Sequence, residues 1–307
     1  MSMDAAFRDA ERVWRSSGDL DAAEALLALA GRSGAQELVA EVLDALVGPS
    51  SHVPPDERVV AAVLTTIAAL PPDCRLMLAP VVDRLACAGS ETATTRLREW
   101  WPPLGRIVGQ SPSMRRVRAL AARYARESHP VLLVGESGVG HEFIARAIHE
   151  LGGRGELGIV HAAAFTDPLF LAELDQHTPH EGTLYLAYAD PDERPTRAHE
   201  LCRTRGSRLL VGTCREASDA GWRRELAQHP IEIPALRERF DDLRLLVSEL
   251  LRRQGRTVSV PEACLTHLRG FEWGGNVRHL DMSLRRLLML AGDDDPLEPA
   301  HWEHIQG

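Results

Sequence analysis

The stretch that most limits what this chain can become is "HPVLLVGESGVGHEFIARAIHE", His129 to Glu150. A short apolar run enters a glycine-rich turn, which opens at once into apolar positions spaced three and four residues apart. A strand, a tight loop and a helix in that order aim backbone N–H groups of a helix N-terminus at one point, an arrangement suited to anions. Gly135, Gly138 and Gly140 carry the spacing of a phosphate-binding loop, with Glu136, Ser137 and Val139 between them and Glu142 just beyond. His141 stands where such loops place the lysine that reaches the outer phosphates.

Further short apolar runs follow in "ELGIVHAAA", "GTLYLAYAD" and "SRLLVGTCRE", with polar or helical stretches between them. Strands alternating with helices predict an α/β fold around a largely parallel, doubly wound sheet. From "PALRERFDDLRLLVSELLRRQG" to "MLAG" the pattern becomes helical again and predicts a small terminal module.

Residues 1–101 predict an all-α domain. "FRDAERVWRSSG", "DLDAAEALLALAGRSG", "AQELVAEVLDALVG", "PPDERVVAAVLTTIAAL" and "PPDCRLMLAPVVDRLACAG" each repeat apolar positions at helical spacing, with Gly and Pro between them. This is the pattern of a small solenoid or bundle, and it carries no chemical motif. Packing or protein interaction is the expectation. "EWWPPLGRIVGQSPS" is the boundary, because Pro102-Pro103 cannot continue the preceding helix.

A net charge of −9 argues against broad nucleic-acid binding, which rests on basic side chains neutralising phosphates. The five cysteines are dispersed, with no CxxC pair, so neither a disulfide framework nor a metal site is expected. No apolar run has the length of a membrane helix and the start is acidic, so the expected location is cytoplasmic. The sequence contains no lysine: all 35 basic residues are arginine. A codon bias toward arginine is the preferred cause, with avoidance of lysine-directed modification as the alternative. General depletion would leave arginine rather than histidine at position 141.

Taken in order, the motifs resemble the AAA+ domain of bacterial enhancer-binding proteins, the activators of sigma-54 RNA polymerase. "IVGQSPSMRRVRALAARYA", with Val108 and Gly109, is similar to the opening that lies beside the adenine, and "GESGVGHE" to the loop G-E-S-G-x-G-K-E. "LFLAELD", "EGTLYLAYAD", "IPALRERFDDLRLL" and "FEWGGNVRHL" resemble L-x-E-S-E-L-F-G, G-G-T-L-F-L-D-E, P-P-L-R-E-R-x-x-D-I and W-P-G-N-V-R-E-L. The resemblance implies an AAA+ core over 106–234 and a helical lid and tail over 235–307. It places Arg278 at the lid's sensor arginine and Arg223 at one inter-subunit arginine. The alternative for Arg278 is a structural pairing near the lid, while Gly274, Gly275 and Asn276 read as a tight turn.

The departures fall on the residues that the resemblance assigns to chemistry. His141 replaces lysine, Ala187 and Tyr188 stand in place of the acidic pair after the third apolar strand, and Cys214 replaces the sensor asparagine. Asp190 lies too far along to replace the missing magnesium ligand. Only Gln176 to Glu181 separates "ELD" from "GTLYL", leaving no room for the G-A-F-T-G-A loop that grips the sigma factor. No DNA-binding helix-turn-helix is expected after the lid. The expected protein is therefore a pseudo-ATPase, not an enzyme, that works as an adaptor or regulatory subunit with protein partners such as an active ATPase. No cofactor or metal is expected, and ATP or ADP are the candidate ligands. The alternatives are a switch that binds nucleotide without efficient hydrolysis and a divergent sigma-54-type regulator.

Overall fold

The computed structural model describes residue 12 and residues 57–70, 75–162, 166–187, 194–213, 230–257, 260–291, 299–302 and 305. The helices expected before residue 57 lie outside this set apart from Arg12, and so do Tyr188, Asp190, Cys214 and Arg223. The chain divides into two compact units, Met1–Arg106 and Ile107–Gly307.

In the first unit, α1 (Glu57–Ala68) buries Val60, Val63, Leu64 and Ile67, the single apolar stripe that its sequence spacing predicts. A 3₁₀ turn (Leu76–Leu78) leads into α2 (Ala79–Cys87). α3 (Glu91–Trp100) begins at Ser90, whose hydroxyl accepts the Ala93 N–H at 3.2 Å and so satisfies one of the helix's unpaired donors. The break expected at the tandem tryptophans occurs at Trp101, but the chain then turns helical again for one turn, α4 (Pro102–Gly105). Proline is favourable there because the first helical position needs no N–H partner.

The second unit is built on five parallel strands in the order β2-β3-β4-β1-β5. β1 (Val131–Val134), β3 (Thr183–Ala187) and β4 (Arg208–Thr213) are buried at every residue. Helices cover both faces of such a sheet, so its inner strands read as unbroken apolar runs instead of alternating ones. β2 (Leu157–His161) forms one edge and β5 (Pro230–Glu232) the other. The connecting helices are α5 (Pro112–Ala125), α6 (His141–Gly152), α7 (Asp167–His177) and α8 (Arg194–Thr204). Arg208, at the start of β4, is buried and donates to the carbonyls of Tyr124, Ala125 and His129. It thereby pairs the last carbonyls of α5 with a cation, the charge that a helix C-terminus favours.

The rest of the unit is helical: a 3₁₀ stretch (Leu236–Asp242), α9 (Leu243–Arg253), α10 (Glu262–Arg269), α11 (Asn276–Ala291) and α12 (Pro299–Trp302). Leu243, Val247, Leu265, Leu280, Leu284 and the fully buried Trp273 form its own core. The Trp273 indole N–H donates to the Leu268 carbonyl at 2.8 Å, so a large apolar ring is buried without an orphan donor. Among the described residues no helix is long and apolar enough to cross a membrane.

Candidate functional site

The glycine loop runs from the end of β1 to the start of α6. Its first residue is tied to the neighbouring strand, with the Gly135 N–H donating to the Thr213 carbonyl at 3.2 Å. Gly138 and Gly140 adopt φ values of +81° and +111°, which L side chains rarely adopt, so the sequence meets the loop's backbone requirement. The Ile144 N–H bonds to the Gly140 carbonyl and starts the helix. The preceding first-turn N–H groups have no acceptor within the helix and face its N-terminal end.

His141 opens α6 and is only 9% exposed. Its Nε2 is buried without a well-formed hydrogen bond. Burial above all, and secondarily the positive charge of Arg278, lower its pKa to about 4 against the opposing effect of the Thr213 backbone. The ring is therefore neutral at pH 7, and the loop lacks a cation at this position.

A cleft of about 560 Å³ opens beside the loop. Gly138, Gly140, His141 and Glu142 line it together with Phe143, Arg146, His161, Tyr185, Ala187 and, from the lid, Val277, Arg278 and Asp281. Of the residues singled out from sequence, the structure thus places Gly138, Gly140, His141, Glu142 and Arg278 around one space. Ala187 ends β3 and pairs in register with His161 at the end of β2, so the two strand tips present a methyl group and an imidazole. Glu142 is engaged by Arg146 at 2.8 and 3.0 Å, and Asp281 accepts from Gln254 and Arg285, each at 2.9 Å.

The other sequence candidates have different work. Glu136 points to the lid and pairs with both terminal nitrogens of Arg237, one of them at 2.8 Å. The backbones of Ser137 and Gly138 are gripped from the same side: Asn276 Nδ2 donates to the Ser137 carbonyl at 3.0 Å and the Arg278 N–H to the Gly138 carbonyl at 3.2 Å. A Cβ at Gly138 would lie 2.1 Å from the Gly275 carbonyl oxygen, so only glycine admits this approach. Val139 is buried, and its carbonyl receives Arg239 at 3.5 Å.

The expected turn at Gly274-Gly275-Asn276 is present, but its left-handed residues are Trp273 (φ +50°) and Asn276 (φ +51°), not the glycines. Asn276 carries the strain because its side chain is fixed three ways: it accepts the Leu236 N–H at 2.8 Å and donates to Glu136 and Ser137. Val108 packs against the lid core, and Gly109 precedes a loop held by one buried carboxylate. Asp242 accepts the N–H groups of Gln110 and Ser111 and the Ser111 hydroxyl at 2.6–2.8 Å. The Gly109 carbonyl accepts from the buried Arg118.

Arg146, His161 and Tyr185 escaped the sequence reading as cleft residues. Arg146 had one available signal, its position one helical turn beyond Glu142. His161 and Tyr185 carry none, since only the strand register brings them to the loop.

With that geometry in view, residues 107–182 match the family described as Sigma-54 interaction domain, and residues 237–304 match the AAA+ ATPase lid domain. The chain is 32% identical over 238 residues to a Nif-specific regulatory protein of Rhizobium leguminosarum bv. trifolii, covering 62% of this chain and 67% of that protein. It is 30% identical over 234 residues to the formate hydrogenlyase transcriptional activator of Salmonella typhimurium, covering 61% of this chain. That match takes in 34% of the activator, so the chain spans about a third of this relative's length. Among solved structures, NtrX from Brucella abortus in complex with ATP is similar with a TM-score of 0.56 and 22% identity, over 78% of this chain and 61% of that one. At that identity the likeness is one of fold.

Proposed function

The chain belongs to the sigma-54 interaction-domain family of AAA+ proteins, and from that premise we propose that it is a catalytically inactive member. It acts in the cytoplasm as an adaptor or regulatory subunit, with residues 1–101 as an interaction module and other proteins, an active ATPase among them, as partners. The observation that carries this reading is the buried Ala187 at the tip of β3, facing the cleft beside the loop. A methyl group can neither hold a divalent cation nor orient a water for in-line attack on a phosphate, and phosphoryl transfer depends on both. The neutral His141 removes a second source of charge stabilisation. Steady-state phosphate release from Mg²⁺-ATP tests the reading: release at the rate of the protein-free blank is expected, and turnover that disappears in an Arg278→Ala variant contradicts it.

A second reading is favoured by the intact glycine cradle and the cleft beside it: a switch that binds nucleotide without efficient hydrolysis. NtrX, which shares the fold, was solved with ATP. Thermal unfolding with excess ADP separates the two. A ligand at about 100 times its Kd adds about 2.7 kcal/mol to stability, and an unchanged midpoint leaves the adaptor without a nucleotide.

A further inference from the structure

Resting on the adaptor reading for the existence of a protein partner, we propose that the solvent face of α11 is a docking surface for an acidic amphipathic helix of that partner. α11 is apolar on two sides. Leu280, Leu284, Leu287 and Ala291 face the lid core, the single stripe that a surface helix ordinarily carries. On the other side Met289 is 82% exposed, Leu290 64% and Met282 48%. At about 100° per residue these three, with the exposed Arg285 and Arg286, fall within an arc of about 140°. Single exposed apolar side chains are ordinary, but three within about 12 Å of one helix, at about 1.5 Å per residue, form a second stripe.

The chemistry of this face selects its occupant. Methionine and arginine are enriched at protein interfaces, where the thioether adapts to an irregular surface and the arginine stem covers apolar area. The row Met282, Arg286, Leu290, at four-residue spacing, is a ridge of the kind that packs into the groove of another helix. Arg285 is shared with Asp281 at 2.9 Å, whereas no carboxylate among the described residues pairs with Arg286. Arg286 stands midway between Met282 and Leu290, so a helix that covers the apolar side chains lies against its guanidinium. A carboxylate beside the partner's apolar stripe satisfies that charge. A second copy does not, because two-fold pairing centred on this face sets Arg286 against Arg286. An anionic membrane is disfavoured by the chain's net charge of −9.

Fluorescence anisotropy of the full chain with two labelled helical peptides of about 18 residues tests the surface. The peptides share one leucine stripe and differ in their polar positions, glutamate in one and lysine in the other. Saturable binding of the glutamate peptide is expected, at least about tenfold tighter than the lysine peptide. Met289→Ser with Leu290→Ser is expected to weaken the glutamate peptide about tenfold at an unchanged unfolding midpoint, since both side chains are exposed. Arg286→Glu is expected to reverse the preference between the peptides. Absence of saturation, equal affinity for both peptides, or unchanged affinity in the serine variant overturns the proposal. Sedimentation velocity and pelleting with vesicles of phosphatidylserine and phosphatidylcholine examine the other occupants. A dimer, or vesicle binding, that the serine variant abolishes assigns the face to a second copy or to lipid and overturns the proposal as well. Phosphate release is read separately, so loss of this surface leaves catalytic inactivity standing, and turnover leaves the peptide result standing.

Discussion

Asn276 and Ser137 are joined across 139 positions of sequence by a 3.0 Å hydrogen bond from the Asn276 amide to the Ser137 carbonyl. The same fully buried side chain accepts the Leu236 N–H and donates to Glu136, so one residue of the lid fixes the glycine loop at two points. Asn276→Ala removes three hydrogen bonds and strands a buried N–H. A loss of about 2–4 kcal/mol in urea unfolding is expected, at about 1–3 kcal/mol per unsatisfied buried group. Asn276→Asp, which keeps the acceptor but sets a carboxylate against Glu136, is expected to fail similarly.

Asp242 holds the other end of the same unit. It accepts three hydrogen bonds from Gln110 and Ser111, and its charge favours the protonated form of the buried Arg239, whose pKa burial lowers to about 10. Asp242→Asn leaves that guanidinium without its compensating carboxylate. Losing the charge from an acceptor of three buried hydrogen bonds costs about 1.5–3 kcal/mol, measurable as a lower denaturation midpoint.

His141 makes stability depend on pH in a defined window. Its pKa is near 6.5 in the unfolded chain and about 4 in the fold, so the unfolded state takes up the proton first as the pH falls. The stabilising contribution is complete above about pH 6.5 and is lost as the pH drops toward 4. Between pH 7 and pH 5 a loss of about 2 kcal/mol is expected from this residue, at about 1.4 kcal/mol per pH unit. A His141→Gln variant, compared by urea titration at the two pH values, is expected to lack that part of the slope.

Restoring a cation to the loop separates binding from chemistry. His141→Lys adds a charge beside the helix N-terminus, so ADP is expected to bind about tenfold tighter, a gain of about 1.4 kcal/mol. Hydrolysis is expected to stay absent, because Ala187 still ends β3. Binding by calorimetry and phosphate release on the same preparation check both halves.

The α/β core and the helical lid were legible in the sequence for a physical reason. Parallel strands buried on both faces appear as continuous apolar runs, as β1, β3 and β4 do, and the part-buried edge strand β2 also falls in an apolar run. β5 was not legible, being three residues long, opened by a proline and placed at the sheet edge. The loop glycines announced their conformation because positive φ demands glycine. The grip of the lid on that loop gave no local signal. Arg237 and Glu136 are 101 positions apart, and only the folded chain brings them together. His161 belongs to the cleft through its register with Ala187, which no spacing in the sequence encodes.

Single-turnover hydrolysis tests catalytic inactivity most directly, because protein in excess over γ-labelled ATP and Mg²⁺ reports one chemical event independently of product release. The expected result is phosphate release no faster than in the blank, for wild type and His141→Lys alike. Release above the blank that falls when Arg278 or His141 is replaced by alanine would show a working ATPase and contradict the proposal.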